Sequence, residues 1–175
     1  MSNSSSVVER LIEAIGNESA PPLTEDIKEL LDELECAETI SRSQLLAVAR
    51  AKNGGKLAKS KTEAAILRNS KYAVRALSTC ALACDDSELA LRYLLALDGV
   101  RVPTASAILT WSRPARYAVI DVRAARAIER ITKLKLNPQS VVDWVTYNDL
   151  ARKLSDRLGI SCMEVDRRLY GAGKR

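Results

Sequence analysis

Two stretches of this sequence carry residues whose type and spacing could do chemistry. In the first, Leu97-Asp98-Gly99-Val100-Arg101-Val102-Pro103-Thr104-Ala105, a very short glycine-containing turn joins two predicted helices. Such a turn presents the first backbone N–H groups of its second helix outward. Unpaired donors and the helix dipole there suit a phosphate, without reading base sequence. The second stretch centres on Asp121, twenty-four residues after Leu97, preceded by Tyr117-Ala118-Val119-Ile120 and followed by Val122-Arg123. A carboxylate that opens a helix is ordinarily a cap. It is also the kind of group that stabilises a developing cation and positions or deprotonates a water. The chain contains no His, which excludes His-based dyads and triads and His-containing zinc sites. Its four Cys include no CxxC pair; Cys80 and Cys84 lie one helical turn apart and read as buried free thiols, so no metal site is expected.

The elements around these stretches are predicted to be helices throughout. Residues 1–20 read as a loose leader with a short helix around Val7–Ile15, ending before Pro21-Pro22. Thr24 is a plausible N-cap for a helix whose stripe is Ile27, Leu30, Leu31 and Leu34. A helix from about Ser43 through Arg50 stops at Asn53-Gly54-Gly55, and a short one covers Thr62 to Leu67. Asn69-Ser70 caps a helix from Lys71 to about Cys84, and Asp86 caps Ser87 to Leu97. Pro103 suits the first turn of a helix from Thr104 to about Trp111. An extended connection, Ser112 to Ile120, leads to a helix from Asp121 to about Thr132. Tyr147 to Leu158 is amphipathic with Gly159 beyond its end, and Ser161 with Glu164 makes a capping box for a last helix ending near Tyr170. No segment reads as a strand, and no solenoid repeat is evident, so the fold class is all-α.

Charge divides the chain. Residues 1–48 carry 3 basic and 10 acidic side chains, residues 49–135 carry 17 and 7, and residues 136–175 carry 7 and 5, within an overall net charge of +5. A basic middle segment of this size suggests a surface that faces a polyanion. With only five Tyr and two Trp, a broad aromatic platform for single strands is not expected. No apolar run reaches membrane-spanning length, and Met1 to Ser6 lacks the features of a signal peptide. A cytoplasmic protein with reduced cysteines follows as the expectation.

Leu97 to Arg130 resembles the hairpin-and-aspartate core of the helix-hairpin-helix base-excision DNA glycosylase superfamily, which includes endonuclease III and the adenine, 8-oxoguanine and alkylpurine glycosylases. That family's signature is a Leu-Pro-Gly-Val-Gly hairpin followed by Thr-Ala, then a catalytic Asp opening a helix. Leu97, Gly99, Val100, Thr104, Ala105 and Leu109 match, and Asp121 falls at the family's hairpin-to-aspartate spacing without a gap. Leu67-Arg68-Asn69-Ser70-Lys71 resembles the Asn-Ser-Lys element that opens a helix in the endonuclease III branch. Leu45-Leu46 to Asn53 sits where the family places a helix and a DNA-probing loop. Val165-Asp166-Arg167-Arg168-Leu169-Tyr170 is similar to the close of small bacterial members. The likeness covers roughly residues 40–170.

The resemblance implies two helical lobes with a cleft between them and Asp121 at that cleft. Lobe A would span about 45–118 with the hairpin at 97–104, and lobe B would join 21–44 to 119–175, in one domain of residues 21–175. It implies a monomer that hydrolyses the N-glycosidic bond of a damaged, mismatched or modified base in double-stranded DNA, with Asp121 as catalytic carboxylate. Phosphate contacts would come from Gly99, Val100, Arg101, Thr104, Lys52, Lys71, Arg123 and Arg126. Asn53 would be the wedge that fills the vacated stack, and Trp111 and Tyr117 would line a base pocket, although for both, as for Trp144 and Tyr147, packing is the plainer role. Pro103 stands where bifunctional members carry their Schiff-base lysine, so lyase activity is not expected. The family's iron–sulfur cysteines are absent; the family also admits a monovalent cation held by hairpin carbonyl groups. Arg101 replaces the second hairpin glycine and must tolerate the backbone there. Two competing readings are a non-catalytic DNA-binding module that keeps the hairpin, and a helical adaptor whose basic surface meets an acidic protein.

Overall fold

Serine and aspartate side chains set most of the helix starts. The computed structural model describes residues 3–54 and 60–173, and among these it is all-α, with ten helices and no strand. They are α1 (Asn3–Ile15), α2 (Glu25–Leu34), α3 (Arg42–Lys52), α4 (Lys61–Arg68), α5 (Lys71–Ala83), α6 (Ser87–Leu95), α7 (Val102–Ser112), α8 (Val122–Thr132), α9 (Val141–Leu158) and α10 (Cys162–Ala172). Ser41, Ser60, Ser70, Asp86, Asp121, Ser140 and Ser161 each precede a helix and accept from a backbone N–H in its first turn. Each thereby satisfies a donor that the helix itself cannot pair.

The chain divides into two compact units, a continuous one of residues 23–113 and a split one of residues 1–22 with 114–175. In the continuous unit α7 is the centre. Its residues are apolar or small all round, and all but Pro103 are buried. A helix of that kind needs neighbours on every side, and α2, α3, α5 and α6 supply them, with α4 packed on α3. Its hydroxyls are absorbed locally: Ser106 Oγ donates to the Pro103 carbonyl at 3.1 Å and Thr110 Oγ1 to that of Ser106 at 2.8 Å. In the split unit α1, α8, α9 and α10 pack on one another around Ile128, Trp144, Tyr147 and Leu154, all fully buried. Among the described residues no helix is long and apolar enough to cross a membrane.

Several expectations are corrected. Within the expected leader, the helix α1 contains Val7–Ile15 and is docked rather than loose: it packs on α8 and α9, and Leu11 and Ile15, four apart on one face, are fully buried. Residues 23–44 belong with the continuous unit rather than the C-terminal helices, because α2 packs on α3 and α7; residues 114–118 belong with the split unit. α6 ends at Leu95, and α9 starts at Val141 instead of Tyr147, since Ser140 Oγ accepts from the Asp143 N–H at 3.2 Å. The box at Ser161 is half formed: its hydroxyl accepts from the Glu164 N–H, while the Glu164 carboxylate accepts from Arg167 and Arg168. All four Cys are free, yet only Cys162 is buried; Cys36 and Cys80 are exposed and Cys84 partly so. Cys80 falls off the inward stripe of α5, which is Val74, Ser78, Ala81 and Leu82. Gly55 of the expected breaker, and Met1 and Ser2, lie outside the described residues.

Leu11→Ala tests the docking of α1. Urea unfolding should show a loss of about 2–5 kcal/mol, as for a fully buried leucine. A loose leader would give a change within about 0.5 kcal/mol.

Candidate functional site

The α6–α7 turn follows from two constraints. Leu97, Val100 and Val102 are buried, so the chain must reverse within a few residues while keeping its apolar side chains inside. Gly99 makes the reversal at φ +79°, and a Cβ there would lie 2.9 Å from the Thr62 carbonyl oxygen and 3.0 Å from both Ala65 and Ile66 side chains. Only glycine serves both needs. The turn is thus pressed against α4, and Asn69, the C-cap of α4, completes the hold. Asn69 Oδ1 accepts from the Asp98 N–H at 2.9 Å, and Nδ2 donates to the Asp98 and Ile66 carbonyls, each at 2.9 Å. The Arg68 guanidinium meets the Asp98 carboxylate at 3.3 Å.

Arg101, the N-cap of α7, has φ −115° and ψ 169° and no side-chain cap. This is ordinary extended backbone, so the expected strain does not arise; the turn's positive φ falls on Gly99. Arg101 is exposed, as is Lys71 at the start of α5, and neither side chain meets a partner among the described residues. Val100 and Thr104, expected as phosphate contacts, are interior: both side chains are buried, and their N–H groups donate to Leu97 and Arg101 carbonyls. In the place expected to hold a cation, the Leu97 carbonyl accepts from the Val100 N–H, that of Asp98 from Asn69 Nδ2, and that of Arg101 from the Thr104 and Ala105 N–H groups. Lys52 ends α3, and Asn53 caps it, its Nδ2 donating to the Ala49 carbonyl at 2.7 Å. A wedge role for Asn53 would require breaking that bond. Trp111 is buried within α7.

In the split unit, one residue anchors the approach to Asp121. The Ala118 N–H donates to Asn148 Oδ1 and its carbonyl accepts from Trp144 Nε1, both at 3.0 Å. Two bonds from α9 to one residue hold the connection and deliver the chain to the start of α8. Tyr117, 2% exposed, stacks on Trp144 with ring centroids 6.0 Å apart. It is therefore core packing and not a surface for a base. Asp121 is half-buried, and its Oδ1 accepts from the Arg123 and Ala124 N–H groups at 2.8 and 2.9 Å. Arg123 and Arg126 are exposed on the first turns of α8. The Arg123 guanidinium lies over the Tyr170 ring at 4.8 Å and bonds its hydroxyl, whereas Arg126 meets no partner among the described residues.

Sequence reasoning missed a pair beside this carboxylate. Tyr147 Oη donates to Asp166 Oδ1 at 2.6 Å, and both residues are buried. Burial pushes the Tyr147 phenol well above its ordinary pKa; the Asp166 carboxylate raises it further by charge and hydrogen bond, and the Asp121 charge adds to this. The phenol is thus held as a donor and not a base, and Asp121 is the more open of the two carboxylates around it. The signal in the sequence was Asp166 itself, which occupies the inward stripe of α10 with Cys162, Val165 and Leu169. A carboxylate on such a stripe requires a donor inside the protein. Compared with known proteins, the sequence matches no family model and no curated protein, and no solved structure matches it.

Tyr147→Phe removes the donation to Asp166 and should cost about 1–3 kcal/mol at neutral pH. The folded-state pKa lies above the unfolded value of about 10. The phenol's contribution is therefore complete below about pH 10 and is lost as the pH climbs beyond it. Urea unfolding of both proteins at neutral pH and above pH 10 checks this, and the variant should lose less stability between the two conditions. Equal losses would contradict it.

Proposed function

We propose that this chain is a monofunctional DNA glycosylase, which hydrolyses the N-glycosidic bond of a damaged, mismatched or modified base in duplex DNA. The observation that carries the reading is the half-buried Asp121 carboxylate, held at the first turn of α8 by two backbone N–H groups and placed in sequence at the family's spacing from the Leu97–Ala105 segment. A carboxylate fixed in this way stabilises the oxocarbenium-like sugar as the base departs with the bonding electron pair. It also orients the water whose oxygen bonds to the sugar carbon and whose proton it accepts. Pro103 offers no amine for a Schiff base. Arg101, Lys71 and Arg126, exposed and without partners among the described residues, are suited to phosphates, with Arg123 and Lys52 as further candidates. Extrusion of the target nucleotide costs a few kcal/mol, least at a damaged or mismatched pair.

One observation favours a second reading, a non-catalytic DNA-binding module. Both bonds from Arg123 and Ala124 are those of an ordinary N-cap, and a cap needs no chemistry.

Asp121→Asn separates the two, because Asn caps a helix as well as Asp does. The assay is base release from a panel of lesion-bearing and mismatched duplexes. Wild type should release a base, and the variant should be slower by about 10²–10⁴-fold. Equal release would remove Asp121 from the mechanism, and no release by either protein across the panel would favour the module. For both readings, duplex affinity should fall steeply as salt rises, because bound phosphates release counterions.

A further inference from the structure

Asn69 joins two elements through one side chain and a third through the chain that follows it. Its amide hydrogens go to Ile66 O, at the end of α4, and to Asp98 O in the α6–α7 turn, while its oxygen receives the Asp98 N–H. Both backbone polar groups of Asp98 are thereby paired to a single amide. Immediately after Asn69, Ser70 caps α5 and Lys71 opens it; three residues after Asp98, Arg101 caps α7. The clamp therefore ties the first turn of α5 to the first turn of α7. Gly99, in contact with Thr62, Ala65 and Ile66, fixes the same turn against α4. The two exposed cations at these helix starts, Lys71 and Arg101, have no partners among the described residues, so their placement depends on the backbone beneath them. Both amide hydrogens of Asn69 are used inside the protein, so it acts through the turn rather than by touching a ligand.

We propose that Asn69 is a positioning residue for DNA-backbone binding: it locks the α6–α7 turn to the start of α5, so that Arg101 and Lys71 are presented together to one phosphate backbone. This rests on the reading of the chain as a DNA-binding protein. Once released from Asn69, the turn no longer holds Arg101 against the phosphate backbone, so that contact and its counterion release are lost although the charge stays on the chain.

The test is fluorescence anisotropy of the intact protein with a labelled, undamaged duplex over a salt series, below the unfolding temperature of every variant. Arg101→Ala should reduce the slope of log affinity against log salt by about one, as loss of one phosphate contact does. Asn69→Ala should weaken binding about tenfold, the scale of one freed turn, and reduce the slope by a similar amount. Adding Arg101→Ala to Asn69→Ala should then cost less than about twofold more, because the two act through one contact. Asn69→Ser removes the amide without adding charge; it should act as Asn69→Ala does, and it carries the comparison if Asn69→Ala does not fold. A variant with a lower unfolding temperature but unchanged affinity and slope would show a merely structural role and overturn the proposal. So would effects of Asn69 and Arg101 that multiply. Wild type that binds the duplex without salt dependence, or not at all, would instead overturn the DNA-binding reading itself.

Discussion

A helix buried on every side restricts everything that touches its ends, and α7 is such a helix. Thr104, Ala105, Ser106 and Ala107 are small enough for neighbouring helices to approach closely, and α2, α3, α5 and α6 do so. The chain must then enter α7 through a turn with almost no length, whose side chains also have to face inward. Gly99 bears the positive φ, and the Thr62 carbonyl stands where a side chain would otherwise be. The charge of Arg101 can lie only at the rim, where the buried helix begins. The exposure of a cation at this turn is thus a consequence of burying the helix behind it.

The split unit solves a comparable problem with side chains from α9. Trp144 and Asn148 occupy both polar groups of Ala118, so a buried, non-helical segment carries no unpaired backbone at that point. Asp121 follows three residues later, and its Oδ1 accepts from two N–H groups of its own first turn. Tyr147 and Asp166 add a buried polar contact close by. In a low-dielectric interior such a contact is strong when complete and costly when broken. The result is a half-buried carboxylate at the start of α8 whose charge reaches a buried phenol, itself hydrogen-bonded to a second carboxylate.

The helices were largely legible in the sequence because their signals are local. Ser70, Asp86, Asp121 and Ser161 lie next to the turns they cap, and Gly159 ends α9 at φ +66° as its position suggests. α9 was legible only from Tyr147 onward, since the exposed Val142 breaks the apolar period at its start. What escaped depends on residues far apart. The burial of α1, the partnership of Asn69 with Asp98 and that of Tyr147 with Asp166 join positions that no spacing rule connects. Of the candidate site residues, Lys71, Arg101, Arg123 and Arg126 are exposed and Asp121 half-buried, while Val100, Thr104, Trp111 and Tyr117 went to the interior. Apolar or small residues in a tight turn between packed helices serve packing first, and the sequence alone does not separate that use from a binding one.

The split unit has a consequence for how the chain acquires its structure. Arg168 donates to the carbonyls of Ile15 and Gly16, across 153 and 152 residues. As a ribosome extends the chain, residues 23–113 can close around α7 from segments already made, whereas Leu11 and Ile15 have nothing to pack on until α8 and α9 emerge. Contacts of such separation are slow to form, and the apolar face waiting for them stays open to solvent, to chaperones and to other nascent chains in the meantime. The earliest of the ten described helices in the sequence therefore waits for partners made much later.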